Sequence, residues 1–276
     1  MVANSDQPNI SSFNAIFSDS EVIEFVNFKH KINNICFRLS SNYPLLSKFI
    51  AWLLNRWSQI LFYVYISERK THLEKLKELN SLSDYFDFTK ELLPSHQIKS
   101  EITDFLQFAA QLNPIVVCEI GVAEGGTNFL IGQSIKSIRH VMAIDQQIIN
   151  SFKIKYFSRP DIKHSFISGC SYEKNTINTV KKCLKGKKID LLFIDGDHRY
   201  SGVKKDFEIY KQLVSTNGLI AFHDINEDHE TRYGNKTTNW AGDVPKFWNE
   251  IKDFYETKEF IEDKNQDGRG IGLLLL

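Results

Sequence analysis

Residues 188–226 read KIDLLFIDGDHRYSGVKKDFEIYKQLVSTNGLIAFHDIN, and this stretch decides the fold. Two short apolar runs, Leu191–Ile194 and Leu219–Phe222, flank an amphipathic segment with helical spacing over about residues 202–214. A strand, a helix and a strand in that order are typical of a parallel sheet, whose ligands lie at the carboxyl ends of the strands. Acids and histidines directly follow both runs. We therefore expect these side chains at one edge of the sheet: Asp195, Asp197, His198, His223 and Asp224.

The composition is that of an ordinary globular protein, with 42% hydrophobic and 25% charged residues among 276. Lysine plus arginine equals aspartate plus glutamate at 34 each, so no overall field favours a nucleic-acid partner. None of the four cysteines has Cys-x-x-Cys spacing, which argues against zinc ribbons and predicts reduced thiols in a cytoplasmic protein. The first 20 residues are polar and lack the pattern of a signal peptide.

Two parts are predicted, a helical N-terminal extension over residues 1–95 and a catalytic domain over residues 96–276. Helical spacing of apolar residues predicts a helix from Glu21 to about residue 40, and Tyr43–Ile66 is the most apolar stretch. Lys48 and Arg56 would each cost about 2.5–3.5 kcal/mol inside a bilayer, so an amphipathic helix is predicted instead of a membrane span. Two interpretations stay open. The apolar face either packs on the domain or a second subunit, forming a homo-oligomer, or makes a peripheral membrane contact.

From Pro114 onward the sequence alternates between strand and helix patterns. Strands are predicted at residues 115–120, 140–144, 162–167, 189–194 and 218–222, with helices at about 126–137, 148–157, 172–184, 202–214 and 244–254. Two final runs, Tyr255–Glu262 and Gly270–Leu276, are separated by a short polar linker that ends in Asp-Gly. That spacing predicts a terminal hairpin. The predicted fold class is therefore α/β with a Rossmann-like sheet.

A glycine-rich turn follows the first predicted strand and has the pattern Glu119-x-Gly121-x-x-x-Gly125-Gly126. Glycines at this point let a ligand approach the backbone, and the helix that follows offers free N–H groups to an anion. The spacing differs from the dinucleotide pattern Gly-x-Gly-x-x-Gly. Glu124 would also repel a pyrophosphate. A zwitterionic amino-acid group, with its carboxylate on the N–H groups, is the better candidate ligand.

Two further features complete a nucleoside-binding pattern. The second strand ends at Asp145, 24 positions after Gly121, where a carboxylate accepts the two hydroxyls of a ribose. The third strand leads into small residues that extend to Ser171, and these could border an adenine ring.

Taken together, these motifs resemble those of class I S-adenosylmethionine (SAM)-dependent methyltransferases. The motif Ile194-Asp195-Gly196-Asp197-His198-x-Tyr200 and the motif Phe222-His223-Asp224-Ile225 narrow the resemblance to one branch. That branch contains cephalosporin-hydroxylase-like proteins and macrolide or rhamnosyl O-methyltransferases. The resemblance covers roughly residues 96–276 and includes the segment Gly242–Trp248. It implies a seven-stranded sheet with a reversed last strand, and SAM as cofactor, bound by Glu119, Gly121, Gly125, Gly126, Asp145, Ser171 and Asp195.

The resemblance also implies a divalent metal, with Mg²⁺ as the first choice, because two strand-end acids can converge on one hard cation. Related enzymes use an acid at each strand end and a neighbour of the second acid, which predicts Asp195, Asp224 and His223 as ligands. His223 departs from the acid or amide of those enzymes, so Asn226 or Asp197 is an alternative third ligand. An imidazole ligand also leaves Mn²⁺ or a metal-free site open.

His198 stands three positions after Asp195, where the related enzymes carry a base, and with Asp195 it is the predicted catalytic group. The polar loop at residues 226–243 is predicted to act as a lid that helps select the acceptor. The expected activity is O-methylation of a small-molecule or sugar hydroxyl. Two other interpretations stay open, a non-catalytic SAM-binding scaffold protein and a hydroxylase-like enzyme on the same fold.

Overall fold

The computed structural model describes residues 66–276 and ten separate positions before them. Those ten positions are helical: residues 46, 49, 50, 52, 53, 56, 57, 59, 60 and 62. The helix predicted from Glu21 to about residue 40 lies outside the described residues, and so does more than half of the stretch Tyr43–Ile66. Among the described residues, no helix has the length and apolar character needed to cross a membrane.

The chain forms two compact units, Met1–Glu78 and Leu79–Leu276. In the first unit, helix α1 spans Ile66–Glu78 and has a charged, polar sequence. Several described apolar side chains before it are exposed, including Trp52 and Trp57. The division predicted near residue 95 stays a prediction, and helix α2 (Leu82–Leu92) lies in the same unit as the sheet.

The second unit alternates between helices and strands, as the sequence pattern predicts. After α2 the helices are α3 (Lys99–Gln111), α4 (Gly126–Ser134), α5 (Ser151–Phe157), α6 (Lys174–Leu184), α7 (Tyr200–Lys211), α8 (His229–Tyr233) and α9 (Val244–Ile251). The strands are β1 (Val116–Ile120), β2 (His140–Asp145), β3 (Lys163–Ser168), β4 (Ile189–Ile194), β5 (Val214–His223), β6 (Glu256–Phe260) and β7 (Ile271–Leu275).

The seven strands form one sheet in the order β3-β2-β1-β4-β5-β7-β6. Strands β1 to β5 are parallel, whereas β7 runs antiparallel to both of its neighbours. The predicted hairpin is therefore present, and β7 is the reversed strand. The predicted fold class, a Rossmann-like seven-stranded sheet with one reversed strand, is confirmed. Because β1 lies between β2 and β4, the glycine-rich turn and the acidic ends of β4 and β5 meet at one edge.

Apolar side chains cover both faces of the sheet. On one face α3 and α4 pack with residues such as Phe105 and Leu130 against Val117 and Phe193. On the other face α6, α7 and α9 pack with residues such as Phe207 against the sheet. The central strands β1 and β4 are buried along almost their whole length, as expected for parallel strands covered on both sides, whereas β3 and β6 at the two ends of the sheet are polar.

The largest differences from the predicted bounds lie around β5. The predicted helix over residues 202–214 begins two residues earlier and ends at Lys211, and the strand predicted at 218–222 begins at Val214. Val214 continues the helical spacing of apolar residues, but it pairs with Ile189 in the sheet and is buried in the core. A single apolar residue at a helix–strand junction satisfies both periodicities, which explains the error.

Candidate active site at the carboxyl edge of the sheet

The glycine-rich turn brings two backbone segments into close approach. Gly121 has φ +85°, and a Cβ there would lie 1.9 Å from the carbonyl oxygen of Asp195. At Gly126, the first residue of α4, a Cβ would lie 2.4 Å from the carbonyl oxygen of Leu93. Both positions therefore need glycine. The turn lies between the end of β4 and the segment that joins α2 to α3, so these three parts of the chain surround one location.

Asp145, at the end of β2, holds this turn in shape. Its Oδ2 accepts hydrogen bonds from the backbone N–H groups of Val122 at 2.8 Å and Ala123 at 3.0 Å. Its Oδ1 accepts from the N–H of Gln147 at 3.0 Å. The predicted ribose-binding carboxylate is thus adjacent to the glycine-rich turn, as a single ligand spanning both would require.

Glu119 lies beneath the turn and is 1% exposed. Its Oε2 accepts a hydrogen bond of 2.7 Å from Nδ2 of Asn128. Burial raises the pKa of Glu119 well above its ordinary value, and the bond from Asn128 offsets this only in part. Oδ1 of Asn128 has no hydrogen-bond partner among the described residues. This buried pair supports the turn from within.

The ends of β4 and β5 bring two acids and two histidines together. His223 Nδ1 lies 3.1 Å from Asp195 Oδ1 and 3.2 Å from Asp224 Oδ2. His198 Nε2 lies 3.6 Å from the same two oxygens. Four of the five side chains predicted at this edge therefore form one cluster, whereas the fifth, Asp197, pairs with Arg199 instead.

The acids control the protonation of both imidazoles. Burial alone would lower the pKa of His223, but Asp195 and Asp224 outweigh it and raise that pKa to about 10. Burial likewise opposes protonation of His198, and the same acids still raise its pKa above the ordinary value. Burial would raise the pKa of Asp195, but the two histidines hold it below the usual range. The two carboxylates therefore favour the protonated form of His223.

His198 is oriented by the loop that follows β5. Its Nδ1 lies 3.0 Å from the carbonyl oxygen of Trp240, and since a carbonyl only accepts, Nδ1 carries the proton. In the neutral ring Nε2 therefore keeps a lone pair facing the two acids. The Trp240 ring stacks on the imidazole with centroids 5.6 Å apart, yet it remains 57% exposed.

The donor set fits a divalent cation. Asp195, His198 and Asp224 each offer a ligand atom, and these atoms lie within 4.8 Å of one another. His223, the predicted third ligand, would have to lose the proton that Nδ1 shares with the acids, so a metal and a proton compete for this nitrogen. Its assignment stays a prediction.

The two alternative third ligands are engaged elsewhere. Asp197 accepts hydrogen bonds from Arg199 and Tyr172. Asn226 Oδ1, the atom that would bind a metal, accepts a hydrogen bond of 2.6 Å from Nη2 of Arg232.

Ser171, the predicted adenine neighbour, lies beside α7. Its Oγ donates a 2.5 Å hydrogen bond to Asp206 Oδ1, and its carbonyl oxygen accepts from the hydroxyl of Tyr210. Asp206 is fully buried, and its Oδ2 has no hydrogen-bond partner among the described residues. Burial raises the pKa of Asp206 to about 7.

Sequence reasoning missed Gln97, the carbonyl of Trp240 and the Ser171–Asp206 pair. Gln97 is 8% exposed and donates from Nε2 to Asp195 Oδ2 at 3.1 Å, across 98 positions of the chain. No local spacing connects these partners. In the sequence, Gln97 is marked only by its position between a Pro-Ser turn and a helix. Many polar residues occupy such positions, so this does not single it out.

Comparison with known proteins agrees with this architecture. The chain resembles three solved structures at TM-scores of 0.51–0.52: an O-methyltransferase from Bacillus cereus in complex with SAH (15% identity, 75% of this chain and 91% of that chain), the cofactor-bound protein Rv0187 from MTB (16%, 70% and 85%), and the O-methyltransferase TomG from Streptomyces achromogenes in complex with SAM (11%, 72% and 90%). At these identities the likeness establishes the fold, which is that of SAM-dependent O-methyltransferases.

Residues 85–271 match the rhamnosyl O-methyltransferase/CmcI family, and the chain belongs to it. The resemblance inferred from the motifs is therefore confirmed. A curated relative, the uncharacterized protein R132 of Acanthamoeba polyphaga mimivirus, is 33% identical over 118 residues, which are 40% of this chain and 51% of that protein. The chain thus spans about half the length of the curated relative it matches.

Proposed function

We propose that the protein is a SAM-dependent O-methyltransferase that acts on a hydroxyl group of a small molecule or a sugar. One observation carries the proposal: the glycine-rich turn with Asp145 and the Asp195–His198–Asp224 cluster lie at the same edge of the sheet, joined through Asp195, whose backbone touches Gly121. Membership of the rhamnosyl O-methyltransferase/CmcI family supports the same reaction.

The donor half of the site is the turn and its neighbours. N–H groups at the start of α4 would receive the cofactor's carboxylate. Gly121, Gly125 and Gly126 would shape that turn by allowing the close approach of Asp195, Ile154 and Leu93. Asp145 would accept the ribose hydroxyls while it keeps the turn in shape through Val122 and Ala123. The adenine would lie near Ser171, and the sulfonium methyl near Asp195.

The acceptor half is the cluster. Asp195 and Asp224 would orient the substrate hydroxyl, and Nε2 of His198 would take its proton as the oxygen attacks the methyl carbon. The carbon–sulfur bond of the donor would break as the bond to oxygen forms, and its electron pair would stay on the sulfur of the S-adenosylhomocysteine product. The hydrogen bond from Nδ1 to the carbonyl of Trp240 supports this role, because it leaves Nε2 as the proton acceptor.

A divalent cation, Mg²⁺ by preference, would be held by Asp195, Asp224 and one of the two histidines. When bound, it supplies a positive charge that lowers the pKa of the acceptor hydroxyl. The bond from His223 to both carboxylates favours a second version of the site, in which the imidazolium supplies this charge without metal. Turnover in EDTA distinguishes the two versions.

Calorimetry of the full chain with SAM at pH 7 is the first test. Absence of binding at millimolar SAM would contradict the proposal. A radiolabelled methyl donor with a panel of sugars and phenols then tests transfer. Binding without transfer to any member would favour the scaffold interpretation over the enzyme.

A further inference from the structure

The segment that begins helix α3 contacts both halves of the acidic cluster. Gln97 donates from Nε2 to Asp195 Oδ2 at 3.1 Å, while the other oxygen of Asp195 faces His223 and His198. Donors therefore hold the Asp195 carboxylate from two sides, and its rotation is fixed. Gln97 is 8% exposed, so solvent does not readily replace it.

Glu101, four positions later, is 2% exposed and holds the loop between β6 and β7. Its Oε1 accepts from the N–H of Glu262 at 3.1 Å and from Nε2 of Gln266 at 2.6 Å. Its Oε2 accepts from the N–H of Gly270 at 2.9 Å. Three donors on one buried carboxylate pin this loop to α3, because each charge-assisted bond is stronger than a neutral one.

The same loop fixes Asp224. The N–H of Arg269, next to Gly270, donates to Asp224 Oδ1 at 3.1 Å. The N–H of Asn226 donates in return to the carbonyl oxygen of Arg269 at 2.9 Å. Asp224 has φ +62° and Arg269 has φ +64°, a left-handed conformation that ordinary residues keep only when their surroundings impose it. The loop that Glu101 holds is what imposes the left-handed conformation at these two residues.

We propose that Gln97 and Glu101 are positioning residues that set the relation between the two acids of the site. Gln97 acts on Asp195 directly, and Glu101 acts on Asp224 through Gly270 and Arg269. Helix α3 packs on the sheet through Ile102 and other buried side chains, so Glu101 and Gln97, which lies two residues before the helix, contact groups from two adjacent strands out of one packed segment. The inference rests on the proposed function, which makes those acids the acceptor site.

The test uses the full chain with Glu101→Gln. Glutamine keeps the side-chain volume but has only one acceptor oxygen, whereas the three donors now bind the two oxygens of Glu101. Gln97→Leu is a second variant with a smaller perturbation. Asp190→Asn is the matched control, because that carboxylate also accepts from two backbone N–H groups, those of Ile115 and Val116, at the opposite end of β4. Each variant is crystallised, and its affinity for S-adenosylhomocysteine is measured by calorimetry.

In Glu101→Gln the Asp224 carboxylate should move by about 1 Å or more, and in Gln97→Leu the Asp195 carboxylate should rotate. A displacement of that size lowers kcat on an acceptor by about a hundredfold. Affinity for S-adenosylhomocysteine should stay within about twofold in Glu101→Gln, whose effect falls on Asp224. The control should leave both acids in place.

An unmoved Asp224 in Glu101→Gln, or equal displacement in the control, would overturn the inference. Failure of the unaltered chain to bind S-adenosylhomocysteine would instead count against the proposed function. The positions of Asp195 and Asp224 in the crystals of the variants would still test the inference in that case.

Discussion

The two ends of strand β4 carry acids with different partners. At the start of the strand, Asp190 accepts hydrogen bonds from the backbone N–H groups of Ile115 and Val116 and from Ser215 Oγ. At its end, Asp195 faces one amide and two imidazoles. Backbone donors cannot leave or change charge, whereas imidazoles can release a proton and yield to a ligand. At the amino edge the acid therefore joins neighbouring strands. At the carboxyl edge the hydrogen-bond partners of the acid can be replaced by a ligand.

The first prediction tests this difference directly. Asp195→Asn should lower methyl transfer by about a thousandfold, because the acceptor hydroxyl loses a charged partner where charge develops. Circular dichroism should show the fold retained, since asparagine keeps the volume and can still accept from Gln97. Initial rates with saturating SAM provide the measurement.

Asp190→Asn should reverse the pattern. Loss of a charge-assisted acceptor for two backbone N–H groups should cost about 1–3 kcal/mol of stability, seen as a lower melting temperature, while kcat is unchanged. If Asp190→Asn lost as much activity as Asp195→Asn, the assignment of a structural role to Asp190 and a catalytic role to Asp195 would be wrong.

The second prediction compares two histidines. His198→Gln should lower kcat by about 10²–10³-fold, because glutamine cannot accept the proton that Nε2 takes. His140, at the start of β2, bonds through Nε2 to Ser165 Oγ at 2.9 Å on the amino side of the sheet. His140→Gln should leave kcat within about twofold. Stopped-time assays of both variants at one pH decide it, and an active His198→Gln would remove this residue as the base.

The third prediction concerns the donor half. Asp145→Asn should weaken SAM binding by about 10–100-fold, because charge-assisted bonds to the turn and to the ribose contribute about 1.5–3 kcal/mol. Its counterpart is Asp161, which precedes β3 at the other edge and pairs with Arg139 and Arg159. Asp161→Asn should leave the dissociation constant unchanged. Calorimetry with SAM measures both, and equal affinity of Asp145→Asn and the unaltered chain would contradict the ribose assignment.

Much of this architecture was predictable because its signals are local. Alternating strand and helix patterns predict the sheet, and the fixed direction of parallel strands predicts that Asp195, His198 and Asp224 lie at one edge. The short polar linker before Gly270 predicted the hairpin that makes β7 the reversed strand. These inferences need only periodicity and topology.

The parts that were missed depend on contacts between distant segments. Gln97 reaches Asp195 across 98 positions, and Glu101 reaches Gly270 across 169. Asp206 looked like one of many acids on a helix, yet it is fully buried against Ser171. Side-chain pairing of this kind depends on how loops cross the edge of the sheet, which hydrophobic periodicity does not determine.

The last prediction concerns an acid at the carboxyl edge that lacks the positive partners of Asp195. Burial raises the pKa of Asp206 to about 7 from an ordinary value of 3.8. Between these values the folded chain holds a proton that the unfolded chain has lost, so this group makes stability fall as pH rises from about 4 to about 7. Asp206→Asn removes that loss and should have little effect near pH 4. Above pH 7 it should raise the melting temperature by several degrees, because the full shift corresponds to at most about 4 kcal/mol.

Asp197 is the matched control, since Arg199 and other donors hold its pKa below the ordinary value. That carboxylate is ionised throughout pH 5–8, so Asp197→Asn should lower the melting temperature by a constant amount across this range. Thermal melts of both variants at four pH values test the contrast. If the difference between Asp206→Asn and the unaltered chain did not change with pH, Asp206 would be ionised in the fold like its neighbour. In that case, the absence of a positively charged partner would not explain why the pKa of Asp206 differs from that of Asp195.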